Sequence, residues 1–168
     1  MDEEQKKQAM ITALRSLTMN DKSEHDLAAK LRDKGYPEAI ITSTLEKLKA
    51  EGFLSDQAFA HKLSERILTG KKSGAHKLAF EMKKKRIPEA IRKKILSEVD
   101  PEQQRVQAFE IAEYKIRSFR DTDPRVLRKK LYDFLIRKGY DFQLAQNTAV
   151  AVVAKHKQTK DDEDESNT

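Results

Sequence analysis

The chain has 168 residues, with 34 Lys and Arg against 28 Asp and Glu, no cysteine and 7% aromatics. Without cysteine there are no disulfides, thiolate nucleophiles or Cys-ligated zinc, and the longest apolar run, Ala149 to Ala154, is too short to cross a bilayer. Lys160 to Thr168 hold one lysine and five acids, so the first 159 residues carry 33 bases against 23 acids. No charged-then-apolar leader opens the chain, and the composition predicts a cytoplasmic protein.

Read in chain order, apolar residues recur at helical spacing almost throughout. The first helix is marked by Met10, Leu14 and Leu17, the second by Leu27 and Leu31. Gly35 follows as a left-handed helix end, and Pro37-Glu38 opens a third helix with proline and an acid in its first turn. Phe59, Leu63 and Ile67 predict a fourth helix, Leu78 and Met82 a fifth, and Pro88-Glu89 starts a sixth. Asp100-Pro101 and Asp123-Pro124 each read as an Asp cap with proline at the first helical position. They open the helices of Ala112, Ile116 and Phe119 and of Leu131 and Leu135.

The chain also repeats itself. Lys34-Gly35-Tyr36-Pro37-Glu38-Ala39-Ile40 returns as Lys85-Arg86-Ile87-Pro88-Glu89-Ala90-Ile91 and, more faintly, as Lys138-Gly139-Tyr140-Asp141-Phe142-Gln143-Leu144. In this register Leu27, Leu78 and Leu131 align, as do Leu48, Val99 and Val152, which makes the β-branched run Ala149 to Ala154 a helix. Self-similarity at about this period signals stacked repeats, none of which buries its apolar face alone. The expected fold is all-α, a tandem array of three three-helix repeats forming an elongated, curved body. The repeats span 1–52, 53–100 and 101–157, and residues 158–168 form a disordered acidic tail. Arg86 takes the left-handed glycine position in the second repeat, at a cost of roughly 1 kcal/mol.

No catalytic constellation emerges. His25, His61, His76 and His156 are isolated, and Gly70-Lys71-Lys72 lacks the upstream glycine and following Ser or Thr of a phosphate loop. Carboxylates lie among lysines, where solvated pairing explains them. The reading is a non-enzyme without cofactor or metal.

What stands out is cationic. Lys71, Lys72, Lys77, Lys83, Lys84, Lys85, Arg86, Arg92, Lys93 and Lys94 fall within 24 residues that hold only Glu81 and Glu89 as acids. Lys77 and Lys84, seven apart, share a helix stripe away from Leu78 and Met82, a pattern that suits a polyanion or an acidic protein groove. A weaker set, with Arg125, Arg128 and Lys129, lies in the third repeat. Basic residues of the first repeat, such as Lys30, Lys47 and Lys49, are diluted by acids.

At Gly52-Phe53-Leu54-Ser55-Asp56-Gln57-Ala58-Phe59-Ala60, followed by Arg66 and the basic helix, the chain resembles the RecX family, small bacterial regulators of the RecA recombinase. Gly52, Phe53, Leu54, Asp56, Phe59, Ala60 and Arg66 match the family hallmark, while Ser55 and Arg86 stand where Asp and Gly are usual. From the residues themselves, Ser55 is a sound helix cap, Asp56 a first-turn acid, and Phe53, Leu54 and Phe59 are expected in the core between the first two repeats. The resemblance implies a non-enzymatic modulator that binds RecA and the RecA–DNA filament; the repeat pattern is read as a monomer, and weak direct binding to the DNA phosphate backbone is left open. Such a modulator would act in DNA repair, recombination and the SOS response. The alternative reading is a sequence-tolerant DNA-binding regulator using helix-turn-helix-like units, and a third is a scaffold with no nucleoprotein target.

Overall fold

A computed structural model describes residues 2–120 and 123–166, with the side chains of 3–120 and 123–159. The helices run α1 Asp2–Met19, α2 Glu24–Asp33, α3 Glu38–Ala50, α4 Asp56–Ser64, α5 Ala75–Lys84, α6 Glu89–Ser97, α7 Pro101–Ile116, α8 Pro124–Arg137 and α9 Phe142–Ser166. There is no strand among the described residues, and Ala149 to Ala154 lie within α9.

Side-chain caps set the starts. Ser23 Oγ accepts from Asp26 N at 3.1 Å and Ser55 Oγ from Ala58 N at 3.2 Å. Asp100, Asp123 and Asp141 accept likewise from the first turns of α7, α8 and α9 at 2.8–2.9 Å. Each bond satisfies an amide that the helix itself leaves without a partner.

The repeated turns close the same way. The N–H groups of Tyr36, Ile87 and Tyr140 donate to the carbonyls of Leu31, Met82 and Leu135 at 3.0–3.2 Å. Such a bond requires a left-handed residue just before it. Gly35 (φ +83°), Arg86 (φ +53°) and Gly139 (φ +87°) supply it.

Two compact units form: the chain up to Leu63 together with Glu81–Ile95, and Ser64–Phe80 together with the chain from Leu96 on. The first contains a core of Leu27, Leu31, Ile41, Leu45, Leu48 and Leu54, all buried. The second contains Leu127, Leu131, Leu135, Tyr140, Ala149, Val152 and Val153 against Ala108, Ala112 and Ile116 of α7. Full burial of each leucine contributes about 1.5–3 kcal/mol.

The backbone of α9 is described as far as Ser166, within the segment expected to form the acidic tail. Asn167 and Thr168 and the tail's acidic side chains lie outside the described residues. Two features depart from the sequence reading. Phe53 is 58% exposed, whereas Leu54 and Phe59 are buried, because Gly52 ends α3 in a left-handed turn (φ +78°) and only one of the next two side chains can face the core. Finally, α4 runs into a π-helix over Glu65–Gly70, which periodicity does not reveal.

Candidate functional site

The basic helix α5 owes its placement to its N-terminus. Gly74 N donates to Lys138 O at 2.9 Å and His76 N to Gly139 O at 3.0 Å. Between them, Ala75 N donates to the Oε1 of Gln104, a buried side chain on α7, at 3.0 Å. The approach is close: a Cβ on Gly74 would lie 2.1 Å from Gly139 O. Two further bonds fasten the preceding loop, from Lys138 Nζ to Lys71 O at 2.6 Å and from Tyr140 Oη to Lys72 O at 2.9 Å. Burial and the nearby Glu110 carboxylate push the Tyr140 phenol up to about 12. The protein's own acceptors thus fill the first amides of α5, so an incoming anion meets side chains rather than the helix end.

Leu78 and Met82 are fully buried and fix which face α5 turns outward. On the exposed face lie His76, Lys77, Lys83 and Lys84. In their midst is Phe80, 61% exposed, with the Lys77 ammonium 5.6 Å from its ring centre. The sequence reading missed Phe80, although its spacing of three and four from Lys77 and Lys84 placed it in the stripe. Lys83, Lys84 and Arg86 are exposed and have no side-chain partner among the described residues.

The rest of the basic run is less available than its composition implies. Lys72 pairs with Glu110 at 3.1 Å, Lys85 with Asp26 at 2.7 Å and Lys93 with Glu89 at 2.7 Å. Glu110 and Asp26 lie 38 and 59 residues away in sequence, so local counting of acids could not find them. Arg92 is half-buried, with a buried Nε that has no hydrogen-bond partner among the described residues. Lys71 is exposed, as is Lys94. In α8, Arg125 and Arg128 are exposed without side-chain partners among the described residues, while Lys129 pairs with Asp133 at 3.3 Å. In the first repeat, Lys49 pairs with Glu24 at 2.9 Å and Lys47 lies 4.0 Å from Glu51.

The hallmark residues are mostly structural in placement. Asp56 Oδ1 accepts from Glu24 N at 2.8 Å and so caps α2 from another helix. Burial holds the Asp56 carboxyl above its usual range, and that hydrogen bond offsets only part of the rise. Ala60 is fully buried, and Arg66 is exposed on the π-helix. No group of three or more His, Asp or Glu is arranged to hold a metal among the described residues, nor is any described helix long and apolar enough to cross a membrane.

Fold and surface together define a helical repeat protein that presents cations and an exposed ring on a packed helix. Family models described as "RecX, first three-helix domain" and "RecX, third three-helix domain" match residues 9–48 and 102–148. The regulatory protein RecX of Chlorobium phaeobacteroides is 33% identical over 84% of this chain and 91% of its own length. That of Clostridium botulinum strain Alaska E43 is 31% identical over 80% of this chain, which spans 64% of the relative. The chain belongs to the RecX family. Among solved structures, RecX from Lactobacillus salivarius superposes with a TM-score of 0.79 at 17% identity, covering 89% of this chain and 97% of its own. A second, the crystal structure of a regulatory protein RecX, gives 0.73 at 25% identity over 83% and 69% of the two chains.

Proposed function

We propose that this chain is a non-enzymatic, monomeric cytoplasmic regulator that binds the RecA recombinase on DNA and dampens its ATP hydrolysis, strand exchange and coprotease activity. The exposed face of α5 carries the contact, and the helices act as three repeats bounded near residues 52 and 100. One observation carries this reading: Lys77, Lys83 and Lys84 surround an exposed Phe80 on a helix whose N-terminus is already bonded within the fold. An exposed aromatic among cations suits a mixed surface of carboxylates and apolar side chains. Family membership supplies the class of partner.

Replacing Lys77, Lys83 and Lys84 together with Glu tests it. None of the three lies on the buried stripe, so helicity and melting stay near the parent's. Inhibition of RecA's DNA-dependent ATP hydrolysis falls sharply, whereas the same change at Lys30, Lys47 and Lys49 does much less. Unchanged inhibition by the α5 variant would remove the basis for this surface. The DNA-binding alternative makes a different forecast: binding to bare duplex weakens, and the log–log salt slope flattens by roughly 0.9 per lost phosphate contact. Lysine-dominated helices favour backbone contact over base readout, so sequence preference is not expected in either case.

A further inference from the structure

A cavity of about 400 Å³ opens between α8 and α9. Tyr132, Phe142 and Val150 form its apolar wall, and Arg128 and Lys129 stand at its rim. The Tyr132 and Phe142 rings meet edge to face, 5.9 Å between centres. Even so, Phe142 remains 63% exposed and Val150 49%.

The repeat register does not account for these side chains. Aligned through the three turns, Phe142 stands where the other repeats have Glu38 and Glu89, Val150 where they have Glu46 and Ser97, and Tyr132 where they have Ala28 and Ala79. In the first repeat Glu38 is ion-paired with Arg32, and the arginine holds its carboxyl below the usual range. The third repeat replaces that pair with Ile136 and Phe142, both exposed. A first-turn acid favoured by the helix dipole has given way to a phenyl ring in water. Exposed apolar clusters that break a local rule without a gain in packing mark interaction sites.

We propose that this cavity is a docking pit for an acidic segment of a protein partner, in which one aliphatic or aromatic anchor side chain enters beside Phe142 and a neighbouring carboxylate pairs with Arg128. Charge complementarity selects this occupant. Arg128 has no side-chain partner among the described residues, whereas Lys129 is already held by Asp133. One unpaired guanidinium beside an apolar pit matches one carboxylate beside one apolar anchor. A nucleic-acid strand, charged at every nucleotide, would have to run past the Asp133 carboxylate. The inference deepens the proposed partner-binding reading and takes from it only the filament used in one assay.

The test uses the full chain and two variants. Phe142→Glu restores the residue of the other repeats at an exposed first-turn position, so it folds at least as well as the parent; Arg128→Glu reverses the rim charge. The parent is titrated by ¹⁵N NMR with a capped peptide Glu-Asp-Leu-Phe-Asp-Glu, with the same peptide carrying lysines for its acids, and with an oligothymidylate. The acidic peptide is expected to shift the amides of Tyr132, Phe142 and Val150, with affinity at least about tenfold weaker in either variant. The same variants lose binding to RecA filaments in a second arm. Shifts by the oligothymidylate in place of the peptide would assign the pit to nucleic acid and overturn the proposal. A parent dimer that Phe142→Glu dissociates would assign it to a second copy, with the same consequence. If the parent binds filaments and both variants bind equally well, the pit fails while the proposed function stands. A parent that does not bind filaments sinks the proposed function, and the peptide titration then decides the pit alone.

Discussion

Lys34-Gly35-Tyr36 and Lys138-Gly139-Tyr140 are the same three residues closing the same left-handed turn, yet they do different work. Around Gly35 a Cβ would meet nothing within 4 Å among the described residues. At Gly139 it would lie 2.5 Å from the backbone nitrogen of Lys77. Tyr36 Oη sits 3.2 Å from Thr12 Oγ1, while the buried Tyr140 donates its hydroxyl proton to a main-chain carbonyl in the loop before α5. One turn is a helix end. The other is a helix end that has become the seat of the basic helix, and a local motif alone does not separate them.

The widest expected gap between the two turns comes from alanine. At Gly35 the cost is that of a left-handed L-residue, roughly 1–2 kcal/mol. At Gly139 the same cost is joined by a collision with Lys77 backbone, for a total of roughly 2–5 kcal/mol once overpacking is added. Urea midpoints at constant m-value measure both. Equal losses would mean that α5 does not press on the turn as described.

Alkaline titration probes the same turn through its phenol. The folded pKa of Tyr140, about 12, lies above its unfolded value of 10.0, so the unfolded chain releases this proton first. Stability is therefore full below pH 10 and falls as pH rises from 10 to 12, by up to about 2–3 kcal/mol. Tyr140→Phe should abolish that part of the pH dependence while lowering stability at neutral pH by about 1–3 kcal/mol, because Lys72 O loses its hydroxyl donor. Tyr36→Phe, on a half-buried ring that faces a hydroxyl able to turn to water, should cost about 0.5–1 kcal/mol.

How much of this was legible in sequence depends on the distance over which each interaction acts. All four prolines lie at or beside helix starts, and Asp100 and Asp123 cap as expected, since capping is decided within three residues. The left-handed Arg86 was legible for the same reason, being fixed by alignment with two glycines. Leu27, Leu78 and Leu131 are buried as the repeat register requires. What the sequence hid lies across elements. Asp56 reads as a first-turn acid of its own helix, but its carboxylate caps α2. Gln104, to which the apolar pattern assigns no place, is buried against α5. Phe53 reads as core and is exposed, and Phe80 and Phe142, which the pattern leaves unplaced, are exposed as well, because hydrophobic type says nothing about which side of a turn a ring leaves. In the candidate site the order of bases along α5 was legible; Glu110 and Asp26, the partners of the flanking Lys72 and Lys85, were not.

The smallest effect separates stability from binding at the third version of the turn. Arg86 holds φ +53° in a position that glycine fills in both other repeats. Arg86→Gly relieves a left-handed L-residue, a gain of roughly 1–2 kcal/mol, and adds freedom to the unfolded chain, a loss of about 0.4–1 kcal/mol. The net is a stabilisation of roughly 0–1.6 kcal/mol, readable as a higher urea midpoint. The side chain it removes is exposed and has no side-chain partner among the described residues, so no packing is lost with it. If the guanidinium contributes to the proposed RecA contact, the same variant inhibits RecA less while melting higher. That opposition is the signature of strain kept for function rather than for folding. A variant that is both more stable and fully inhibitory would show that Arg86 is tolerated in its turn and not used there, and would shift the weight of the basic surface back to Lys77, Lys83 and Lys84.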